Sequence, residues 1–251
     1  RFIAPIGIND WNPPRIFVVN SLLYPMEPRV HHNILHEIAF VNAAWSLNQL
    51  EPGTNPITTK VVHSVAKAFW GSDEAGDFSS YEGKALAAKK IQNRTYIKES
   101  LTLCDFAYPI TCSLHTPDHV GDPNLGAKLF SAVTGIDSEE FDVYGERICN
   151  LQRLILLREG RKVPEADHPP DFNFTDPYVI SSKSDIAHIK TVPGPGEKKV
   201  PFEGTILQRD KFNNMLKDYY LLRGWDQESG YPLYTTLANL GMDDLAIGPN
   251  A

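Results

Sequence analysis

The sequence predicts an all-α fold, an irregular multi-helix bundle with one long proline-rich loop. Three observations carry this. Apolar residues recur at spacings of three and four along most of the chain, the period of one helix face. Glycines follow the last periodic residue of several runs, where a helix end favours a left-handed residue. No stretch alternates apolar and polar residues at period two strongly enough for a sheet.

Residues 1–29, RFIAPIGINDWNPPRIFVVNSLLYPMEPR, are rich in proline and aromatic residues. The apolar run IFVVNSLLY is too short and too flanked by proline for a long helix, so an extended or briefly helical lead-in is expected. Next, VHHNILHEIAFVNAAWSLNQL carries Val30, Ile34, Ile38, Val41 and Trp45 on one helical face. TTKVVHSVAKAFWG repeats the pattern with Val61, Val65 and Phe69 and stops at Gly71. SYEGKALAAKKIQNRTYIKESLTLC opens at a serine cap, Ser80, and mixes alanine with lysine as good helix formers do. NLGAKLFSAVTG is a short helix closed by Gly135.

The clearest helix is DSEEFDVYGERICNLQRLILLREG, with Ser138 as N-cap, a stripe from Phe141 to Ile155, and Gly160 at its end. Residues 161–204 hold most of the remaining prolines and read as a long loop. DKFNNMLKDYYLLRG returns to helical spacing and stops at Gly224. TTLANLG is a final short turn capped by Thr235 or Thr236.

The chain has 251 residues, 42% of them hydrophobic and 22% charged, which is ordinary for a soluble globular protein of one large or two modest domains. Its net charge of −7 excludes a general affinity for nucleic acid or anionic membranes. No apolar run approaches the roughly 20 residues that span a bilayer, and no signal-peptide pattern is present. The three cysteines, Cys104, Cys112 and Cys149, are too few and odd in number for a disulfide framework, so a cytoplasmic setting is expected. The start at Arg1 leads us to expect a segment of a longer polypeptide.

The residues by themselves compose no complete catalytic site. His32 and His36 stand one helical turn apart, a spacing two metal ligands can use, but no third ligand accompanies them. A pocket-facing histidine or an ordinary surface pair satisfies the same spacing. There is no G-x-S-x-G, no glycine-rich phosphate loop and no C-x-x-C. Glu139 with Glu140, and Asp243 with Asp244, are helix-end charges. Cys104 closes the run KESLTLC, and core filling and ligation both stay open for it.

Two segments point further. One helix carries Asn150 and Arg153 and ends in Arg158-Glu159-Gly160. A later one carries Tyr219-Tyr220, then Leu222-Arg223-Gly224-Trp225-Asp226, and leads to Leu237, Leu240 and Gly241. In order and spacing they resemble the C-terminal region of the tungsten-containing aldehyde ferredoxin oxidoreductases. That family carries D-x-x-G-L-C at a helix end, its cysteine the last of four ligands to a 4Fe–4S cluster and its neighbours contacting a pterin. The matching stretch here is Glu99-Ser100-Leu101-Thr102-Leu103-Cys104, with glutamate for aspartate and threonine for glycine.

The resemblance implies Cys104 as a metal ligand, Glu99 and Leu103 as cofactor-binding residues, and His31 or His32, after E-P-R-V, as the catalytic pocket histidine. It implies residues 1–80 as a lead-in and helices completing the middle, substrate-pocket domain, and 81–251 as the C-terminal helical domain. The whole enzyme would oxidise an aldehyde to a carboxylic acid on a tungsten or molybdenum bis-pterin centre and pass electrons through the cluster to ferredoxin. The family's C-x-x-C-x-x-x-C run is missing here, so the partner of this segment is the N-terminal cofactor-binding portion, and the segment alone is expected to bind no cofactor. A homo-oligomer is compatible with the resemblance. Two alternatives stand beside this reading: a stand-alone helical binding module without cofactor, and a relative acting on another carbonyl compound or an acyl thioester.

Overall fold

A computed structural model describes residues 13–29, 35–104, 106, 108, 110–180 and 190–247. At its centre lies helix α4 (Lys84–Ser100), against which pack α1 (Asn20–Met26), α6 (Glu140–Arg158) and α8 (Arg209–Arg223). The approach of α6 is close. A Cβ on Gly145 would come within 2.7 Å of the Asn93 Cβ and 2.9 Å of its Cα, so only glycine admits this crossing. α4 buries polar groups as well as apolar ones: Lys84, Gln92, Asn93 and Lys98 are buried beside Ala88, Ile91 and Tyr96. Its alanine and lysine mark good helix-forming sequence, and tertiary partners bury most of it.

α2 (Glu37–Leu50) buries Ile38, Val41 and Trp45, as its spacing predicts. Val30 and Ile34, the earlier members of that stripe, lie outside the described residues. α3 (Thr59–Val65) is capped by Thr58, whose side chain accepts from the Val61 amide, and it widens into a π turn at Ala66–Trp70 before Gly71. Trp45, Trp70, Phe69 and Phe78 are among the most completely buried side chains, each worth about 1.5–3 kcal/mol of transfer free energy or more. α5 (Leu125–Thr134), in contrast, buries none of its residues fully. Phe130 holds it to α6 by edge contacts with Phe141 and Tyr144.

Several caps differ from expectation. α4 starts at Lys84 after the left-handed Gly83, not at Ser80. The N-terminus of α6 follows Glu139, and Ser138 makes no cap. α9 (Tyr234–Asn239) has no side-chain cap either; Thr236 instead donates to the Gly224 carbonyl at 2.7 Å, tying α9 to the end of α8.

The all-α expectation is corrected to mostly α. Thr191–Pro193 (β1) and Lys199–Pro201 (β2) form an antiparallel ribbon with Val192 opposite Val200. Strands of three residues are too short for a period of two to show in sequence. The ribbon is anchored by Phe78, whose amide donates to Pro193, and by His63, whose Nε2 lies 2.8 Å from the Gly194 carbonyl oxygen. A single turn, α7 (Phe172–Thr175), precedes it in the proline-rich stretch. The main core draws on residues from Ile16 to Trp225. Among the described residues no helix is long and apolar enough to cross a membrane.

Candidate functional site

The C-terminal end of α4 is closed by a 6→1 and a 5→2 backbone bond: Leu103 donates to Lys98 and Thr102 to Glu99. This is the Schellman arrangement, which requires a left-handed residue at the position of Thr102. Thr102 accordingly sits at φ 58°, a β-branched residue in a region that favours glycine. The same pair of bonds closes α6 at Gly160, α8 at Gly224 and α9 at Gly241. Of these four ends, only the one that delivers Cys104 lacks glycine.

Beyond Thr102 the chain turns outward. Leu103 is half-buried and lines a small cleft with Leu101, Tyr108 and Ile110. Cys104 is exposed, so it is not core filling. Cys149 is buried, and Cys112 is half-buried with its thiol pushed up to about 11 by that burial. Phe106 is 72% exposed. Its ring meets His36 at 5.4 Å and Phe40 at 5.0 Å, both edge-on. The start of α2 therefore lies beside the Cys104 loop. His31 and His32 lie outside the described residues.

Glu99, on the last turn of α4, is exposed, and its Oε2 lies 3.2 Å from Nη1 of Arg29. Arg29 is in turn held by Glu27, which is fully buried: the Arg29 amide, Nε and Nη2 all donate to its carboxylate, at 3.0, 2.8 and 3.2 Å.

Six of the motif residues, Asn150, Arg153, Tyr219, Tyr220, Arg223 and Trp225, are drawn together in the interior. Arg153 donates twice to Asp167, at 2.8 and 2.6 Å, and to the Gly230 carbonyl at 2.8 Å. Its guanidinium lies 4.4 Å from the centroid of the Trp225 ring. Arg161 and the Tyr220 hydroxyl also donate to Asp167. Burial opposes charge on both members of this pair, but their mutual attraction wins: Arg153 is raised and Asp167 lowered from their ordinary values. Asn150 accepts from the Trp225 indole at 2.8 Å. Arg223, wholly buried, donates to Asn93, Gln92, Glu146 and the Tyr219 hydroxyl.

These residues are thus a scaffold, not a surface that meets substrate. Sequence reasoning missed their partners Asp167, Gln92, Asn93 and Glu146. No local pattern marks them, because each pairing spans a large sequence separation. It also missed Gly230, at φ 70°, where a Cβ would stand 2.7 Å from the Arg153 guanidinium.

Among the described residues no group of three or more His, Cys, Asp or Glu could hold a metal ion. Cys104 fits a metal centre as one thiolate donor, exposed on a short loop and free of any disulfide; the remaining ligands would have to come from elsewhere. Glu99, an exposed carboxylate one turn away, fits a neighbouring group that carries hydrogen-bond donors. A family model described as aldehyde ferredoxin oxidoreductase, domains 2 and 3, matches residues 39–242.

Proposed function

The chain belongs to the aldehyde ferredoxin oxidoreductase family, and from that premise we propose that it supplies one cluster ligand, Cys104, and part of a pterin cradle to an enzyme that oxidises aldehydes to carboxylic acids. The observation that supports this best is an exposed thiol delivered by a structurally defined helix end. Burial is the usual fate of a cysteine that only packs. Here the chain turns outward to present Cys104 instead.

When bound, a tungsten or molybdenum bis-pterin centre would supply the two-electron chemistry of aldehyde oxidation with water as oxygen source, and a 4Fe–4S cluster held in part by Cys104 would supply single-electron transfer to ferredoxin. This chain's own residues position and enclose. Cys104 ligates as a thiolate, presented outward where ligands from elsewhere can meet the same centre. Leu103 tucks into its cleft and fixes the direction in which Cys104 leaves the helix. Glu99 accepts hydrogen bonds from the pterin. By its resemblance to the family, His31 or His32 is the catalytic pocket histidine. Residues 1–80 belong to the middle domain and 81–251 to the C-terminal one, in a cytoplasmic enzyme whose other ligands come from an N-terminal cofactor-binding portion.

The test is Cys104→Ala in the full-length protein, read by electron paramagnetic resonance of the reduced cluster together with iron content. Loss or conversion of the signal is expected. An unchanged signal and iron content would sink the ligand assignment.

A further inference from the structure

A surface glutamate at a helix end ordinarily samples many rotamers, at a conformational cost to any interaction that needs one of them. Glu99 is different, because its partner is itself immobilised. Glu27 is fully buried, and a buried carboxylate demands compensation. Arg29 provides it through its amide, Nε and Nη2. The inner edge of the guanidinium is thereby committed, and Nη1 alone reaches Glu99. The guanidinium also lies 6.0 Å from the centroid of the Tyr96 ring on α4. A chain of contacts from the interior thus ends on the Glu99 carboxylate.

We propose that Arg29 is a positioning residue: it holds the Glu99 carboxylate in place at the end of α4, so that Arg29 and Glu99 present one pre-set acceptor to the pterin. This rests on the reading above that Glu99 faces the pterin. Side-chain length matters to it. An aspartate at this position would withdraw the carboxylate by about one carbon–carbon bond, roughly 1.5 Å, and lose contact with a guanidinium that cannot follow.

The experiment uses the full-length enzyme and four forms besides wild type: Arg29→Lys, Glu99→Asp, Glu99→Gln and the double variant Arg29→Lys/Glu99→Gln. Lysine keeps a cation beside Glu27, so the fold is retained, but it cannot serve two carboxylates from a planar fork. Pterin retained after gel filtration is read as fluorescence of the oxidised pterin per protein, and melting temperature is read alongside. Arg29→Lys and Glu99→Asp are expected to lower retention about tenfold, the scale of loss when a partner that orients a ligand is changed. The double variant should be no worse than Glu99→Gln alone. Wild-type retention in Arg29→Lys overturns the proposal, as does an Arg29→Lys loss that recurs in full on the Glu99→Gln background. Pterin absent from the wild-type enzyme overturns the proposal together with the reading it rests on.

Discussion

Arg153 and Asp167 form a two-pronged ion pair in the interior, with N···O separations of 2.8 and 2.6 Å and neither side chain more than 3% exposed. Fourteen positions of chain separate them, including the end of α6 and its closing Gly160. Arg161 adds a second cation and Tyr220 a hydroxyl to the same carboxylate. The proline-rich stretch is thereby fastened to α6 and α8 at one buried point.

Removing that carboxylate leaves two guanidinium groups without their counter-charge. Asp167→Asn should destabilise the chain by about 3–5 kcal/mol, measured as a lowered midpoint in urea unfolding. The lowered Asp167 pKa adds a pH signature. Its stabilisation is complete above the ordinary carboxylate value of 3.8 and is lost as pH falls through the lower folded value. Wild type should therefore lose stability in acid more steeply than Asp167→Asn. Equal acid slopes would contradict this.

Lys84 gives a signature of the same sign in a higher pH window. Its ammonium is buried and donates to the Glu74 and Glu82 carbonyls and the Ser80 hydroxyl. Burial brings it from 10.5 down to about 7, against the partial opposition of Asp77, Glu82 and Glu74. Between those values the unfolded chain binds a proton that the folded chain does not, so stability rises with pH. The slope is at most about 1.4 kcal/mol per pH unit. Lys84→Met should unfold with a flatter pH dependence between about 7.5 and 9.5, and identical slopes would refute the assignment.

Thr102 occupies a backbone conformation that costs a non-glycine residue about 1–2 kcal/mol. Thr102→Gly removes that strain but frees the unfolded chain by about 0.4–1 kcal/mol. The expected net effect is a stabilisation of up to about 1.6 kcal/mol, seen as a raised melting temperature. The reverse experiment at Gly224 should be harsh, since a Cβ there collides with the Thr236 Oγ1. Gly224→Ala should destabilise clearly.

Exposure ranks the three thiols. Cys104 should react first with a thiol reagent in the folded chain, Cys112 slowly, and Cys149 only on unfolding. Cys104→Ala should shift stability by no more than about 0.5 kcal/mol, so that any cluster lost in the full-length protein reflects ligation and not misfolding. Prompt labelling of Cys149 would contradict the packing described for it.

Much of the helical framework was legible in the sequence, because spacing and terminal glycines are local signals. Gly135, Gly160 and Gly224 end the helices they were expected to end. The N-termini were less legible: Ser80 and Ser138 have the right chemistry for caps, but α4 is entered three positions later through the left-handed Gly83 and α6 one position later through Glu139. In the candidate site, the resemblance reached Glu99, Leu103 and Cys104, while nothing in the local pattern singled out Arg29 as the partner of Glu99. The two lie 70 positions apart, and charge alone does not name a partner at that distance.

By itself, then, the sequence determined where most helices run, where they stop, and which family its motifs resemble. All of these are written in residues within a few turns of one another. Only the tertiary structure decided that α4, mixed in alanine, lysine and polar amides, is the central helix. Gln92 and Asn93 are tolerable inside only once Tyr219, Arg223 and Glu146 bond to them from elsewhere in the chain. A buried polar group is unfavourable until its partner arrives, and which partner arrives is a property of the fold, invisible to any window of the sequence.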